Sequence, residues 1–229
     1  MNNSACIDYK DHWDQKFRTR QWGKYPPEDL VRFIFAHYKH CDRTQIKVLD
    51  LGCGPGANLW FLSREGFQVS GIDCSPTAIE IAQKLVKAEI QSASLDLKVG
   101  DFAHLPWEAN VFDCVVDIFA IYANPMQVIE RTLIEIERVL KPGGVGCAKF
   151  FGCETTGYGF GERLEHHTFD NIPIGPCAQM GIAHFVTQQE LEILFNRFHP
   201  VIVNRALRTD AVKGYLVEEF TCHFQKKLP

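Results

Sequence analysis

The sequence predicts an α/β protein, with helices packed on a mostly parallel β-sheet. Three observations carry that reading. From residue 46 onward, short β-rich runs alternate with stretches of helical period. The first run, VLDL, stops abruptly in GCGPG, and a helical pattern follows, the kind of junction at which such sheets hold ligands. The last two β-like runs, near 200–207 and 215–225, are separated by a short KGY, so the chain closes on an antiparallel hairpin. With 229 residues, 46% hydrophobic and 23% charged, the chain makes one sizeable domain rather than two small ones.

The elements follow in order. Two helices precede the sheet, over about Ile7 to Arg18 and Pro27 to His40, with Leu30, Phe33 and Ile34 facing inward. They have no place in the sheet and are expected to cover its ligand edge. The first strand is Ile46 to Leu51, and the second is Gln68 to Ile72, ending at Asp73. Ser75-Pro76 starts a helix, with Ser as N-cap and Pro in the first turn. Ala78, Ile81, Ala82 and Leu85 form its apolar face. Leu95 to Val99 is a third strand, and Phe112 to Ile118 a fourth. Ile129, Leu133, Ile136 and Leu140 line one stripe of the next helix, which Lys141-Pro142-Gly143-Gly144 ends. A fifth strand runs from Val145 to about Phe151. The stretch 152–186 reads as irregular, rich in Gly, His and aromatics. Thr187 to Glu190 is a capping box, opening a helix with Leu191, Leu194, Phe195 and Phe198 on its buried face.

Bulk properties narrow the function. The net charge is -4, and no strongly basic stretch suits a nucleic acid. No apolar run approaches a membrane span, and the first residues lack the pattern of a signal peptide. The nine cysteines are scattered without a C-x-x-C pair, so they are expected to be buried free thiols in a reducing cytoplasm and not ligands of a metal.

The glycine turn leaves two ligands open. Gly52-Cys53-Gly54-Pro55-Gly56-Ala57 fits G-x-G-x-x-A, the dinucleotide fingerprint. It equally fits a shorter G-x-G-x-G turn preceded by Asp50. Asp73, at the end of the second strand, suits the ribose of either ligand. Val99-Gly100-Asp101-Phe102 suits an adenine, with a carboxylate for its amine and a ring to stack on it.

In order and spacing, VLDLGCGPG, GIDCSPTAIEIA, VGDFAHLPW, FDCVVDIFAIY and LKPGG resemble the class I S-adenosylmethionine-dependent methyltransferases, of the small-molecule, type-11-like kind. The resemblance is strong over about residues 46–150 and looser to the C-terminal hairpin. It implies a Rossmann-like seven-stranded sheet, mostly parallel with the last strand antiparallel and helices on both faces. The whole chain, 1–229, would be one domain. Residues 1–45 would form a helical lid, 46–151 the cofactor-binding core, 152–186 a substrate lid segment, and 187–229 the closing helix and hairpin.

The resemblance also implies roles. Gly52, Cys53 and Gly54 would let the backbone approach the methionine part of S-adenosylmethionine, and Asp50 would help bind its amino group. Asp73, followed by Cys74, would hold the ribose diol, while Asp101 and Phe102 flank the adenine. Asp117 and Ile118 would complete the amino-acid end. Trp13, in the aromatic segment Tyr9 to Trp22, would touch the cofactor. Ile121 and Tyr122, after the fourth strand, would floor the substrate pocket or serve equally in aromatic packing.

The expected reaction is methyl transfer to an oxygen or nitrogen of a small metabolite, leaving S-adenosylhomocysteine. An oxygen acceptor needs a base, and histidine suits neutral pH. His166 and His167 are the candidate bases, with Arg163 as a binder of substrate anions and Tyr158 and His184 as further substrate contacts. His184, just before the Thr187 cap, also suits a structural hydrogen bond. The rivals are an NAD(P)-dependent oxidoreductase and a non-catalytic cofactor-binding subunit that activates a partner. The expected setting is cytoplasmic, as a monomer or homodimer with no nucleic acid or membrane partner.

Overall fold

In the computed structural model, residues 4–228 are described, with side chains from Lys10 onward. The chain begins with α1 (Ser4–Thr19) and α2 (Glu28–Tyr38), then a short 3-10 turn. β1 (Lys47–Leu51), α3 (Ala57–Arg64), β2 (Gln68–Asp73), α4 (Pro76–Glu89) and β3 (Leu95–Val99) follow. β4 (Phe112–Ile118), α5 (Met126–Val139) and β5 (Leu140–Phe151) complete the parallel part. Three short strands come next: β6 (Glu162–Glu165), β7 (Thr168–Asp170) and β8 (Ala183–His184). The chain ends with α6 (Gln188–Leu194), β9 (Phe198–Thr209) and β10 (Leu216–Lys226).

Seven strands form one sheet in the order β3-β2-β1-β4-β5-β10-β9. All pairings from β3 to β5 are parallel, and β10 runs antiparallel to both its neighbours. Apolar side chains cover both faces of the sheet. Leu49 and Leu51 of β1 join a core that includes Leu133 of α5 and Leu191 of α6. Val48 points the other way, into a core with Leu30 and Phe33 of α2, Leu59 of α3 and Val86 of α4. This is the period-2 alternation of a strand packed on both sides.

Several details differ from the sequence reading; α6, for one, ends at Leu194, so that Phe195 is its C-cap and Phe198 opens β9. The buried face of α4 is Ala78, Ala82 and Val86, whereas Ile81 is exposed and Leu85 half-buried. The stripe is rotated because α4 packs its small residues against α3; a Cβ on Gly56, the N-cap of α3, would lie 2.8 Å from the Ala82 Cβ. Leu140 begins β5 rather than ending α5: its backbone turns extended there and pairs with Phe112. The stretch 152–186 is not irregular throughout. It folds into a small antiparallel sheet, β6-β7-β8, whose first two strands turn tightly at His166 and His167. Strands of four, three and two residues, flanked by glycines, are too short for a period-2 signal. Among the described cysteines, Cys53, Cys114, Cys147, Cys177 and Cys222 are buried free thiols, but Cys41 is exposed.

Candidate functional site

Strand register brings three carboxyl groups to one edge of the sheet. Asp50 pairs with Val116 and Leu51 with Asp117, so both acids sit at the C-terminal ends of adjacent strands. Asp73 ends β2 on the other side of β1. All three are buried: Asp50 is 0% exposed, Asp117 1% and Asp73 5%.

Their hydrogen bonding differs. Asp73 has a donor on each oxygen and keeps acceptor capacity on both: Gly54 N–H donates to its Oδ2 at 2.9 Å, and Ser75 N–H to its Oδ1 at 2.9 Å. Asp50 Oδ1 accepts from Asn58 Nδ2 at 3.1 Å, and Asp117 Oδ1 accepts from the amides of Ala120 and Ile121 at 3.0 Å each. Oδ2 of Asp50 and Oδ2 of Asp117 are buried with no partner. Such oxygens are costly to leave empty-handed. Burial, and the charges of Asp117 and Asp73, push the Asp50 carboxyl up to about 8 against the pull of Asn58. Burial raises Asp117 to about 7 and Asp73 to about 6, in each case against the backbone amides that bond them.

A cavity of about 440 Å³ opens at the same edge, outside the carboxyl ends of the strands, where α/β sheets bind ligands. Gly52, Cys53 and Gly54 line it on the turn after β1, and Asp73 and Cys74 on the turn after β2. The turn needs glycine at 52: its φ is +56°, and a Cβ there would sit 2.2 Å from the Ala120 Cβ. Asp101, Phe102, Ile118 and Tyr122 also line the cavity. Asp50 and Asp117 are not among its lining residues; they lie buried behind it. Ile121 is wholly buried in the core.

α1 closes one side. Trp13 and Phe17, one turn apart, both face the cavity and stack at 5.7 Å. Trp22 leans on Phe17 at 5.2 Å, lines the cavity, and has a buried indole N–H with no partner. The Tyr9 side chain, part of the expected aromatic lid, lies outside the described residues. Asp14 fastens α1 to the start of α4: its Oδ1 accepts from Ser75 Oγ at 2.5 Å and from Thr77 N–H at 3.0 Å. Burial opposes ionisation of Asp14, yet the hydrogen bonds from Ser75 and Thr77 prevail and hold its carboxyl down at about 2. Ser75 is thereby both N-cap, accepting from Ala78 N–H, and anchor of α1.

Of the far wall, the sequence pointed only to Tyr122. Phe119 and Phe151 stack at 4.4 Å, and Tyr122 meets Phe151 edge to face at 5.1 Å. Asn124, Pro176 and Met180 complete that end. The helical spacing of Trp13 and Phe17 was a usable signal for Phe17; Met180 and Phe151 come together only through tertiary folding.

The structure corrects the residues expected from segment 152–186. His166, His167, Tyr158, Arg163 and His184 do not line the cavity. His166 is exposed on the β6–β7 turn and stacks on His167 at 3.7 Å. Arg163 is exposed and bonds locally to the Glu165 carbonyl and the His166 ring. His167 Nδ1 lies 3.2 Å from Glu190 Oε2, and His184 Nε2 lies 3.5 Å from the same oxygen. His184 is 0% exposed, with Nδ1 2.7 Å from Thr168 Oγ1. Burial works against ionisation of Glu190, but His184 and His167 outweigh it and lower its pKa. Tyr158 packs between Phe169 and Phe185. The tight turn at His167, with φ +60°, aims these groups at α6 instead of the cavity.

A glycine turn between strand and helix, buried acids at strand ends and an aromatic lid define an α/β protein with a ligand cavity at the carboxyl edge of its sheet. Residues 48–144 match the family described as "Methyltransferase domain". Residues 48–144 thus carry a methyltransferase domain of the class I, S-adenosylmethionine-dependent kind. It is 32% identical over 157 residues to human (Homo sapiens) EEF1A lysine methyltransferase 2, covering 61% of this chain and 66% of that protein. It is 33% identical over 153 residues to sterol 24-C-methyltransferase erg6 of Schizosaccharomyces pombe, covering 60% of this chain and 37% of that one. The chain thus spans about two thirds at most of these two relatives' length. In fold it matches a SAM-dependent methyltransferase of Methanosarcina mazei, with a TM-score of 0.71 at 23% identity, over 90% of this chain and 100% of that one. It also matches the Burkholderia thailandensis 1,6-didemethyltoxoflavin-N1-methyltransferase, with a TM-score of 0.67 at 18% identity, over 99% of this chain and 92% of that one.

Proposed function

We propose that the protein transfers a methyl group from S-adenosylmethionine to an oxygen or nitrogen of a small molecule. One observation carries the cofactor half of this reading: the two buried carboxylate oxygens of Asp50 and Asp117 have no partner beside the glycine turn. Neither acid lines the cavity, so they favour a cationic ligand there by charge and through bridging water, and the ammonium of S-adenosylmethionine meets that need. A dinucleotide would instead bring a pyrophosphate toward three buried acids, which like-charge repulsion opposes. When bound, S-adenosylmethionine supplies a methyl group on a sulfonium, a reactive centre with an excellent leaving group.

The chain's own residues then bind, orient and exclude water. Gly52 to Gly54 let the backbone lie close to the ligand, and Asp73, held by two amides, suits a ribose diol. Asp101 and Phe102 suit the adenine. Trp13, Phe17 and Trp22 exclude water from above. Phe119, Tyr122 and Phe151 form an apolar floor that holds an acceptor close to the reacting centre, so positioning and desolvation supply the rate. With His166 and His167 away from the cavity, the preference they lent to an oxygen acceptor lapses. A second acceptor, a lysine side chain of a protein, is favoured by the similarity to EEF1A lysine methyltransferase 2.

The test is calorimetric titration with S-adenosylmethionine, S-adenosylhomocysteine, NAD and NADP side by side. Micromolar binding of the first two, with none of the others, is the expected result. Binding of NAD alone would overturn the reading. Purified protein with labelled S-adenosylmethionine is then offered small amines and alcohols alongside a lysine-containing peptide, to separate the two acceptors.

A further inference from the structure

A second cavity, of about 480 Å³, lies against the neighbouring face of α1. His12 and Lys16, one helical turn apart, form one wall, and Asp170, Asn171 and Gln179 stand on the other. Trp13 and Phe17, each the next residue along, line the first cavity, so α1 is a partition between the two. The loop facing α1 does the same, with Met180 turned to the first cavity and Gln179 and Gly181 to the second.

The walls carry opposite charges. Lys16 Nζ donates to the Gln179 carbonyl, which leaves two ammonium hydrogens for another acceptor. Asp170 Oδ1 accepts from the Asn171 amide at 2.7 Å, and its carboxylate keeps further acceptor capacity. His12 Nε2 is shut off from solvent with no hydrogen-bond partner. Its ring is seated on a glycine: a Cβ at Gly181 would lie 3.3 Å from that nitrogen. Burial first, and then the charge of Lys16, lower the His12 pKa and favour the neutral ring. The loop is also conformationally forced. Asn171 and Gln179 hold left-handed backbones, with φ of 53° and 60°. Strained residues concentrate where a segment is shaped for a ligand.

We infer that this cavity is a ligand site separate from the first, and that it takes a small zwitterion carrying an ammonium and a carboxylate, as in an amino-acid headgroup. The carboxylate would meet Lys16, beside the His12 ring, and the ammonium would meet Asp170. A simple anion would pair with Lys16 but crowd Asp170, and a simple cation would do the reverse. Only a ligand with both charges matches both walls. This inference does not depend on methyl transfer.

The experiment titrates the full chain with glycine, acetate and methylammonium, reading the His12 imidazole resonances by NMR. Glycine is expected to shift them saturably, binding about tenfold tighter than either singly charged probe, or by about 1.4 kcal/mol. Lys16→Gln and Asp170→Asn should each weaken glycine about tenfold. Asp170→Asn should also raise acetate to the level of glycine, whereas Lys16→Arg should keep glycine binding. Melting followed by circular dichroism checks that each variant is folded. Acetate equal to glycine on the unaltered chain would overturn the proposal. So would an unmoved His12 signal at saturating glycine, or glycine binding that survives in folded Lys16→Gln.

Discussion

Two polar clusters rich in titratable groups, one buried and one half-buried, lie on either side of the Tyr122 backbone. At the strand ends, Asp50 and Asp117 each keep one oxygen without a partner. Under the small sheet, Glu190 has His167 at 3.2 Å and His184 at 3.5 Å, and His184 has Thr168 at 2.7 Å. His184 N–H, in turn, donates to the Tyr122 carbonyl at 2.8 Å. The difference separates two uses of buried polarity. His184 Nε2 also lacks a hydrogen-bond partner, so what separates the clusters is place and charge. The acids lie behind the cavity with no cation near among the described residues, whereas Glu190 has two imidazoles facing it away from the cavity. Histidines drew attention by their chemistry, but their partners assign them to the second use.

The comparison can be broken at either cluster. The largest expected effect is on ligand binding: Asp73→Ala should weaken S-adenosylmethionine by about 1–3 kcal/mol, the cost of losing a buried charged acceptor. An unchanged dissociation constant in calorimetry would remove Asp73 from the site. Glu190→Ala should act the other way. It leaves the two imidazoles without their shared acceptor and should cost about 2 kcal/mol of stability in denaturant unfolding. Affinity for S-adenosylmethionine should stay the same. A loss of affinity larger than the loss of stability would erase the division drawn here.

pH sharpens the contrast. Asp50, Asp73 and Asp117 have folded pKa values raised to about 8, 6 and 7. An unfolded carboxyl titrates near ~4. Between those values the native state holds more protons than the unfolded state, so the contribution of these acids to stability is present at low pH and is lost as pH rises toward 8. A cationic ligand reverses the preference by favouring the carboxylates. Binding of S-adenosylmethionine near pH 6 should therefore release protons, and affinity should climb toward pH 8. Calorimetry in two buffers of different ionisation enthalpy measures the release, and Asp117→Asn should reduce it. No proton release anywhere in that range would mean that the orphan oxygens do not meet the cation.

Why was one cluster readable before the structure and the other not? The glycine turn, Asp50 and Asp73 are encoded within a few residues of a strand end, where local geometry decides position. The matching architecture, a seven-stranded sheet closing on an antiparallel strand, follows from the alternation of elements and the motifs spaced along them. Phe119, Phe151 and Met180 meet only because β4, β5 and the 170–181 loop converge, and no spacing in the chain announces that. Ile81 misled because an apolar residue at the right helical interval was read as buried, although Ala82 and Val86 provide the closer packing surface. His166 and His167 misled because residue type was taken for position, and a left-handed turn of a strand pair too short to detect carries them away.

His166 gives the smallest and most selective test. It is exposed; its ring meets the His167 ring and the Arg163 guanidinium, and its carbonyl accepts from Thr168 Oγ1 at 3.4 Å. A surface residue with such contacts changes stability by about 0.5 kcal/mol or less when shortened. As a catalytic base for an oxygen acceptor, the same residue would lower turnover by about a hundredfold or more. The two roles therefore differ by far more than experimental scatter. Once an acceptor is in hand, His166→Ala is expected to keep the turnover of the unaltered protein, in steady-state assays at pH 7 with S-adenosylmethionine saturating. A fall of that size with unchanged melting would return the β6–β7 turn to the reacting centre. It would imply that the small sheet swings over the cavity during turnover, and that its histidines do more than anchor α6.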